Sequence, residues 1–293
     1  PKGGSGKYST PKNRTALSML ASPNMASRYI AWQQLNAVGA KAEDTLAKLW
    51  QGDDQRLRAR ALHLLARING LGEKYIGAAL GDSNADIRIA GLRIARERGH
   101  DVIPLVTQLV GDPSAAVRRE CAIALRHNDS PAAPALWAKL AQQHDGADRW
   151  YLEALGLALD RQQDKFFGAW LEAVGSEWDT PAGRDIVWRS RSKKTPDLLV
   201  KILLDKKTKE ADKPRYIRAL DFQSGPEKNA ALLKLLHFAT ACAEQLHRSA
   251  DVRFVHIDGE QLDWLAANAV DVLLDDLRPA DRQLVAFTPH VLK

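Results

Sequence analysis

The run Asp112-Pro113-Ser114-Ala115-Ala116-Val117-Arg118-Arg119-Glu120-Cys121-Ala122-Ile123-Ala124-Leu125 decides how the whole chain is read. Val117, Cys121 and Leu125 are spaced four apart and share one face of a helix, whereas a strand would alternate. The same arrangement recurs upstream: Arg28, Arg58, Arg88 and Arg118 stand 30 residues apart. Just before the arginine stand Leu57, Ile87 and Val117. Three places after it come Ala31, Ala61, Gly91 and Cys121, and seven after it Leu35, Leu65, Ala95 and Leu125. Small residues at the middle position suit a helix that must approach its neighbour closely.

Between these helices lie others: Glu43 to Gln51, Glu73 to Leu80 and Val102 to Val110, each closed by Gly-Asp. Glycine ends the first helix, and a polar residue such as Ser83 or Ser114 starts the second. Each period is therefore a helical hairpin. Asp82 and Asp112 stand six residues before Arg88 and Arg118, which predicts that aspartate and arginine meet in a ladder of charge-assisted hydrogen bonds along the stack.

This pattern resembles HEAT repeats in their shorter, lyase-type form, most closely over Asn24 to Asn128. The resemblance implies an all-α, right-handed α-solenoid. Beyond Asn128 the period loosens: Trp150 to Leu159, Ala182 to Arg191 and Lys213 to Phe222 read as second helices, with Pro196 to Leu204 and Glu227 to Leu236 as first helices. Arg215-Tyr216-Ile217-Arg218-Ala219 echoes Arg28-Tyr29-Ile30-Ala31. The expected organisation is a linker over 1–14, about seven HEAT-like hairpins over 15–250, and a divergent capping segment over 251–293. Terminal repeats are atypical because they must hide the apolar edge of the stack. The amphipathic pattern from Gly259 to Leu277 fits such a cap, and Val252 to Ile257 alternates as an extended segment would.

Two longer strings, Ser22-Pro-Asn-Met-Ala-Ser-Arg-Tyr-Ile-Ala-Trp32 and Pro214-Arg-Tyr-Ile-Arg-Ala-Leu-Asp-Phe-Gln-Ser-Gly-Pro-Glu-Lys228, with Ala182-Gly-Arg-Asp-Ile-Val-Trp188 between them, carry a second resemblance. They are similar to the helical middle module of planctomycete and verrucomicrobial modular haem-binding, membrane-bound dehydrogenase-like proteins. There a sugar-dehydrogenase-like β-propeller precedes the repeats and a cytochrome c domain follows. The resemblance implies a spacer in an exported, periplasmic or cell-envelope protein. It carries over no catalytic residue, because this sequence holds neither the propeller's substrate residues nor Cys-x-x-Cys-His.

Composition excludes several other classes. The chain has 293 residues, 45% hydrophobic and 27% charged, with a net charge of +6. That is an ordinary globular composition with no run apolar enough to span a bilayer. It opens on Pro1 without a signal peptide and reads as a piece of something longer. Cys121 and Cys242 are too few for a disulfide framework or thiolate zinc site and read as small buried residues. No phosphate loop, nucleophile elbow or zinc-protease motif is present. His237, Cys242 and His247 fall five apart, rotated by about 140° per step, and do not converge. His256-x-Asp258-x-Glu260 is too short a polar run to make a metal site by itself. The expectation is no catalytic residue, metal or cofactor.

Three features could bind a partner. Arg56, Arg60, His63 and Arg67 form a stripe on the second helix of repeat two, joined by Arg93 and His127 in later repeats and diluted by Glu97 and Glu120. The stretch from Arg184 to Arg218 is rich in basic residues, including Arg189, Arg191, Lys193 and Lys194, and precedes an acidic end. It reads as a docking surface for an anionic partner or as solvated loops. Trp150, Trp170, Trp178 and Trp188 fill the seam of the irregular hairpins, or else form an aromatic platform. The function this points to is a non-catalytic scaffold for a protein or a neighbouring domain, monomeric, with nucleic-acid binding in the manner of HEAT-like DNA glycosylases as the alternative.

Overall fold

A computed structural model describes residues 15–248, with side chains through Phe238. The linker residues, the capping segment, the Val252 to Ile257 stretch and the His256 run lie outside the described residues, as do the side chains of Cys242 and His247. The described residues are all-helical. Their contacts divide the chain into two compact units, Pro1–Ala132 and Ala133–Lys293. The division falls inside the residues read as one solenoid, at the interval where the arginine period stops.

The first unit pairs α1 (Ala16–Leu20) with α2 (Met25–Val38), α3 (Glu43–Trp50) with α4 (Gln55–Leu65), α5 (Gly72–Leu80) with α6 (Ala85–Glu97), and α7 (Ile103–Leu109) with α8 (Ala115–Ala124). Second helices α2, α4, α6 and α8 pack on one another in turn, as in an α-solenoid. The offsets read from the sequence are its core. Ala31, Ala61, Cys121, Ile87, Val117, Leu65, Ala95 and Leu125 are all but inaccessible. A Cβ on Gly91 would stand 2.9 Å from that of Ala79 on α5, so a side chain at this crossing would force the two helices to shift.

Each of these four second helices starts at a polar cap with extended backbone, and in three of them the cap side chain accepts an otherwise unpaired N–H. Asn24 serves Ser27, Asp54 serves Arg56 and Leu57, and Asn84 serves Asp86. Asn84, not Ser83, therefore caps α6. Ser114 holds the cap position of α8 but makes no side-chain capping bond.

The ladder exists, with a different register from the one expected. The Arg58 guanidinium pairs with the carboxylate of Asp82, and that of Arg88 with Asp112, each 24 residues further on. The arginine six residues after the aspartate binds its main chain instead: Arg88 Nη1 donates to Asp82 O at 2.8 Å and Arg118 Nη1 to Asp112 O at 2.6 Å. Each aspartate thus joins two consecutive arginines, one through its carboxylate and one through its carbonyl. Arg28 opens the series on the carbonyl oxygens of Ser22 and Pro23.

The second unit holds α9 (Ala133–Ala141), α10 (Arg149–Ala158), α11 (Gln163–Val174), α12 (Pro181–Arg189), α13 (Thr195–Leu204), α14 (Lys213–Asp221) and α15 (Pro226–Arg248). Here α9 packs on α11, α13 on α15, and α10, α12 and α14 follow one another as second helices. The core is aromatic, with Trp137, Phe166, Phe167 and Trp170 buried. The polar handles of this core are satisfied: Trp137 Nε1 donates to Leu155 O and the Tyr151 hydroxyl to Leu140 O.

Candidate functional site

The arginine position lies four residues beyond each second-helix cap, and this rule explains the loosened period. After the Asp148 cap it falls on Leu152, which is buried, so α10 has no ladder arginine. After the Thr180 cap it falls on Arg184, which rejoins the pattern. Arg184 pairs with Asp179, with Asp205 and with Thr208 Oγ1, the last 24 residues on. Its hydrogen bonds to Asp179 and then Asp205 outweigh burial and raise its pKa above the ordinary guanidinium value. Reading Arg184 only as one of many basic residues missed this. The cap Thr180 four places earlier was the signal.

Part of the basic stretch is absorbed in the same way. Arg189 crosses to α10, where its Nε donates to Glu153 Oε2 at 2.9 Å. It fits only because residue 156 is glycine: a Cβ there would collide with the Arg189 guanidinium. Arg191 turns back to the carbonyls of Trp188 and Ser190 and lies 4.8 Å from the Phe222 ring centre. The turn that carries Lys193 and Lys194 sits on the start of α11, where Asp164 accepts from Lys193 N and Ser192 Oγ. It is a buried polar turn after α12. Ser190, Ser192 and Thr195 bond one another, and Gln223 holds Ser190 O. Arg191 meets the same end of α11, its main-chain N–H donating to Gln163 Oε1 at 3.0 Å.

What the second unit does assemble is a band of aromatics and arginines across α10, α12 and α14. Trp150, Glu153 and Leu157 fall at helical spacing on one stripe of α10. Trp150 is 73% exposed and Leu157 46%. Glu153 is shared by Arg149 and Arg189; burial would raise its pKa, but these bonds win and hold it below the usual carboxylate value. The Trp188 ring has the guanidiniums of Arg149 and Arg215 at 5.6 and 4.4 Å. Arg215 also pairs with Asp185 at 2.6 Å, and Phe222 stands 57% exposed beneath Arg191. Expectation and structure differ over the tryptophans. Trp170 is buried as core, but Trp150 stands in solvent, and Trp178 and Trp188 are half-buried.

The first unit carries a smaller feature on α2 and α4. A cavity of about 310 Å³ is lined by Leu20, Met25, Tyr29, Trp32, Arg60 and His63, among others. Met25 and Tyr29 are well exposed. Of the predicted stripe, Arg60 reaches Leu20 O at 2.8 Å, Arg67 lies over Trp32, and Arg56 points away into solvent. Burial lowers the His63 pKa, with Arg67 adding and Glu97 opposing. Arg93 is spent on the buried carboxylate of Glu120, which Arg96 also approaches. Sequence spacing found the stripe but not Tyr29 and Trp32, which make its apolar floor.

No group of His, Cys, Asp and Glu among the described residues could hold a metal ion, and no helix there is long and apolar enough to cross a membrane. No curated protein matches the chain. Residues 73–156 match the family of HEAT repeats, so over that stretch, which begins at α5 and continues into α10, the chain is HEAT-like.

Proposed function

We propose that this chain is a non-catalytic protein-binding module that docks its partner on the second-helix surface. HEAT repeats commonly mediate protein interaction. The observation that carries the reading is the band of the second unit, where Trp150, Leu157 and Phe222 stand exposed among Arg149, Arg189 and Arg191. Interface cores are rich in tryptophan, phenylalanine and arginine, and exposed apolar groups rimmed by charged side chains mark interaction sites. Arg149 and Arg189 share Glu153, Arg215 pairs with Asp185, and Arg191 is held by main-chain carbonyls. Phosphate backbones are bound through cations that release counterions, and this band offers few unpaired ones. That favours protein over nucleic acid. The groove at Met25, Tyr29 and Trp32 serves as a second contact in its own unit.

The test places a photo-cross-linking residue at Ala147, in the turn before α10, and compares protein adducts formed in the native cells with and without Trp150→Ala and Phe222→Ala. Specific adducts lost in the double variant, at an unchanged melting temperature, support the reading. Unchanged adducts defeat it, as does duplex DNA binding at about 0.15 M salt with a slope of several released ions. The setting in an exported multidomain protein rests on the sequence resemblance. It predicts covalently attached haem, retained after acid-acetone extraction, in the product purified from its own cells.

A further inference from the structure

The groove of the first unit, between α2 and α4, has a volume of about 310 Å³ and an apolar floor that stands open to water. Leu20, Met25, Tyr29 and Trp32 make that floor, with Met25 75% and Tyr29 59% exposed. We propose that the groove receives the acidic segment Gly259 to Leu277 of a second copy of the chain, laid in as an amphipathic helix. The proposal rests on reading the groove as a contact surface and is independent of the band at Trp150.

Shape is the first argument. Met25, Tyr29 and Trp32 are spaced four and three apart and share one stripe of α2. The Tyr29 and Trp32 rings lie 6° from parallel with centres 6.5 Å apart, which makes an elongated apolar wall. Arg60 and His63 on α4 form the facing side. A strip of this form beside a second helix is what the apolar face of an amphipathic helix covers.

Charge is the second argument. Neither α1, α2 nor α4 holds an acidic residue. Arg28 and Arg60 are held by main-chain carbonyls, Arg67 lies over Trp32, and Arg56 stands in solvent one turn before Arg60. None of these four arginines is bridged to a carboxylate, unlike Arg58, which has Asp82. The acids at the flanks are Asp53 and Asp54 before α4 and Glu97 on α6, and Asp54 already accepts the N–H groups of Arg56 and Leu57. A partner that fits must bring apolar side chains together with carboxylates.

The chain itself carries such a partner in sequence. From Gly259 to Leu277, outside the described residues, Leu262, Leu265, Ala269 and Leu273 fall at helical spacing. Glu260, Asp263, Asp271, Asp275 and Asp276 accompany them, without a lysine or arginine. On a helical wheel most of these acids fall away from the leucine face or at its borders, where they meet a basic rim. Repeats contact their neighbours in sequence, and this segment follows α15 whereas the groove belongs to the first two pairs, which assigns the docking to a second copy.

The test follows the intact chain by sedimentation velocity over a range of concentrations, with a fluorescein-labelled peptide of residues 259–277 read by anisotropy. Self-association is expected to grow with concentration, because a head-to-tail contact repeats, and excess peptide should disperse it. Arg56→Glu with Arg67→Glu, both at exposed positions, should weaken peptide binding and self-association about tenfold or more at an unchanged melting temperature. Asp271→Lys with Asp275→Lys should weaken self-association alike, and a mixture of the two reversed chains should associate where each alone does not. A chain that stays single at every concentration overturns the proposal. So does peptide binding that the arginine reversal leaves unchanged, and so does a mixture that stays dispersed. Trp150→Ala with Phe222→Ala should leave self-association intact; its loss there would move the contact to the band and overturn the groove, whereas failure of the cross-linking test alone leaves this inference standing.

Discussion

Nε and Nη2 of Arg88 hold the two carboxylate oxygens of Asp112 at 2.7 and 2.8 Å, and the two residues belong to successive helix pairs, 24 positions apart. The pair is nearly dry, with the aspartate side chain 5% exposed. It also organises the turn, because Asp112 Oδ1 accepts the Ser114 N–H and its carbonyl receives Arg118.

Removing one partner of such a pair strands the other, which costs about 3–5 kcal/mol. Asp112→Ala is therefore expected to lose about 3 kcal/mol in urea denaturation. A double-mutant cycle should give a coupling of about 1–3 kcal/mol for Arg88 with Asp112 and clearly less for Arg118 with Asp112. The reverse order would show that the ladder closes within one repeat.

Glycines at close crossings should respond according to what faces them. Gly91→Ala pushes a methyl onto Ala79 and should cost about 1–2 kcal/mol despite the helix preference for alanine. Gly183→Ala drives a methyl into the carbonyl of Trp178, which is backbone and cannot swing aside, so its loss should be larger. Gly168→Ala meets only the end of Lys194 and should be neutral or stabilising by about 0.5–1 kcal/mol. Thermal melts of the three variants rank them, and a destabilised Gly168→Ala would contradict the packing.

Acid should weaken the fold in two steps. Asp112 has a lowered pKa: burial raises it, but bonds from Arg88 and the Ser114 N–H prevail. Such a group contributes its stability above the unfolded value near 3.8 and loses it as pH falls through the lower folded value. His63, lowered chiefly by burial, takes up its proton more readily unfolded, so stability also declines below its ordinary value of 6.5. His63→Gln should flatten the fall in unfolding free energy that sets in below about pH 6.5, while Asp112→Asn should flatten it only below about pH 4. An identical slope in wild type and His63→Gln would show that the ring is not desolvated.

Burial, followed by Asp112 and Glu120, pushes the Cys121 thiol up to about 12. In a Cys242→Ser background, iodoacetamide at pH 8 should modify Cys121 only as fast as the unit opens. Rapid labelling of the folded protein would place that thiol at the surface.

The periodic part of the fold was legible because local signals recur. Caps, small crossing residues and apolar offsets repeat every 30 residues, and each acts within one helix or between neighbours in sequence. Ladder register was not legible. The residue six places from an arginine and the one 24 places away are equally aspartate, since Asp82 serves Arg88 by its carbonyl and Arg58 by its carboxylate. Spacing names the residue without saying which of its oxygens is used.

Function depended still more on contacts that spacing does not carry. A count of basic residues between Arg184 and Arg218 predicts a surface, yet whether Arg184 is free or bound depends on Asp205 and Thr208 in the next pair. Whether Arg189 reaches Glu153 depends on the missing side chain of Gly156. By itself the sequence determined the helical pairs, their core faces and the absence of familiar catalytic motifs, because these follow from local propensity and periodic apolar spacing. Only the tertiary structure decided which charges are neutralised and which tryptophans stand in water, because long side chains choose partners across helices, where geometry and desolvation set the balance.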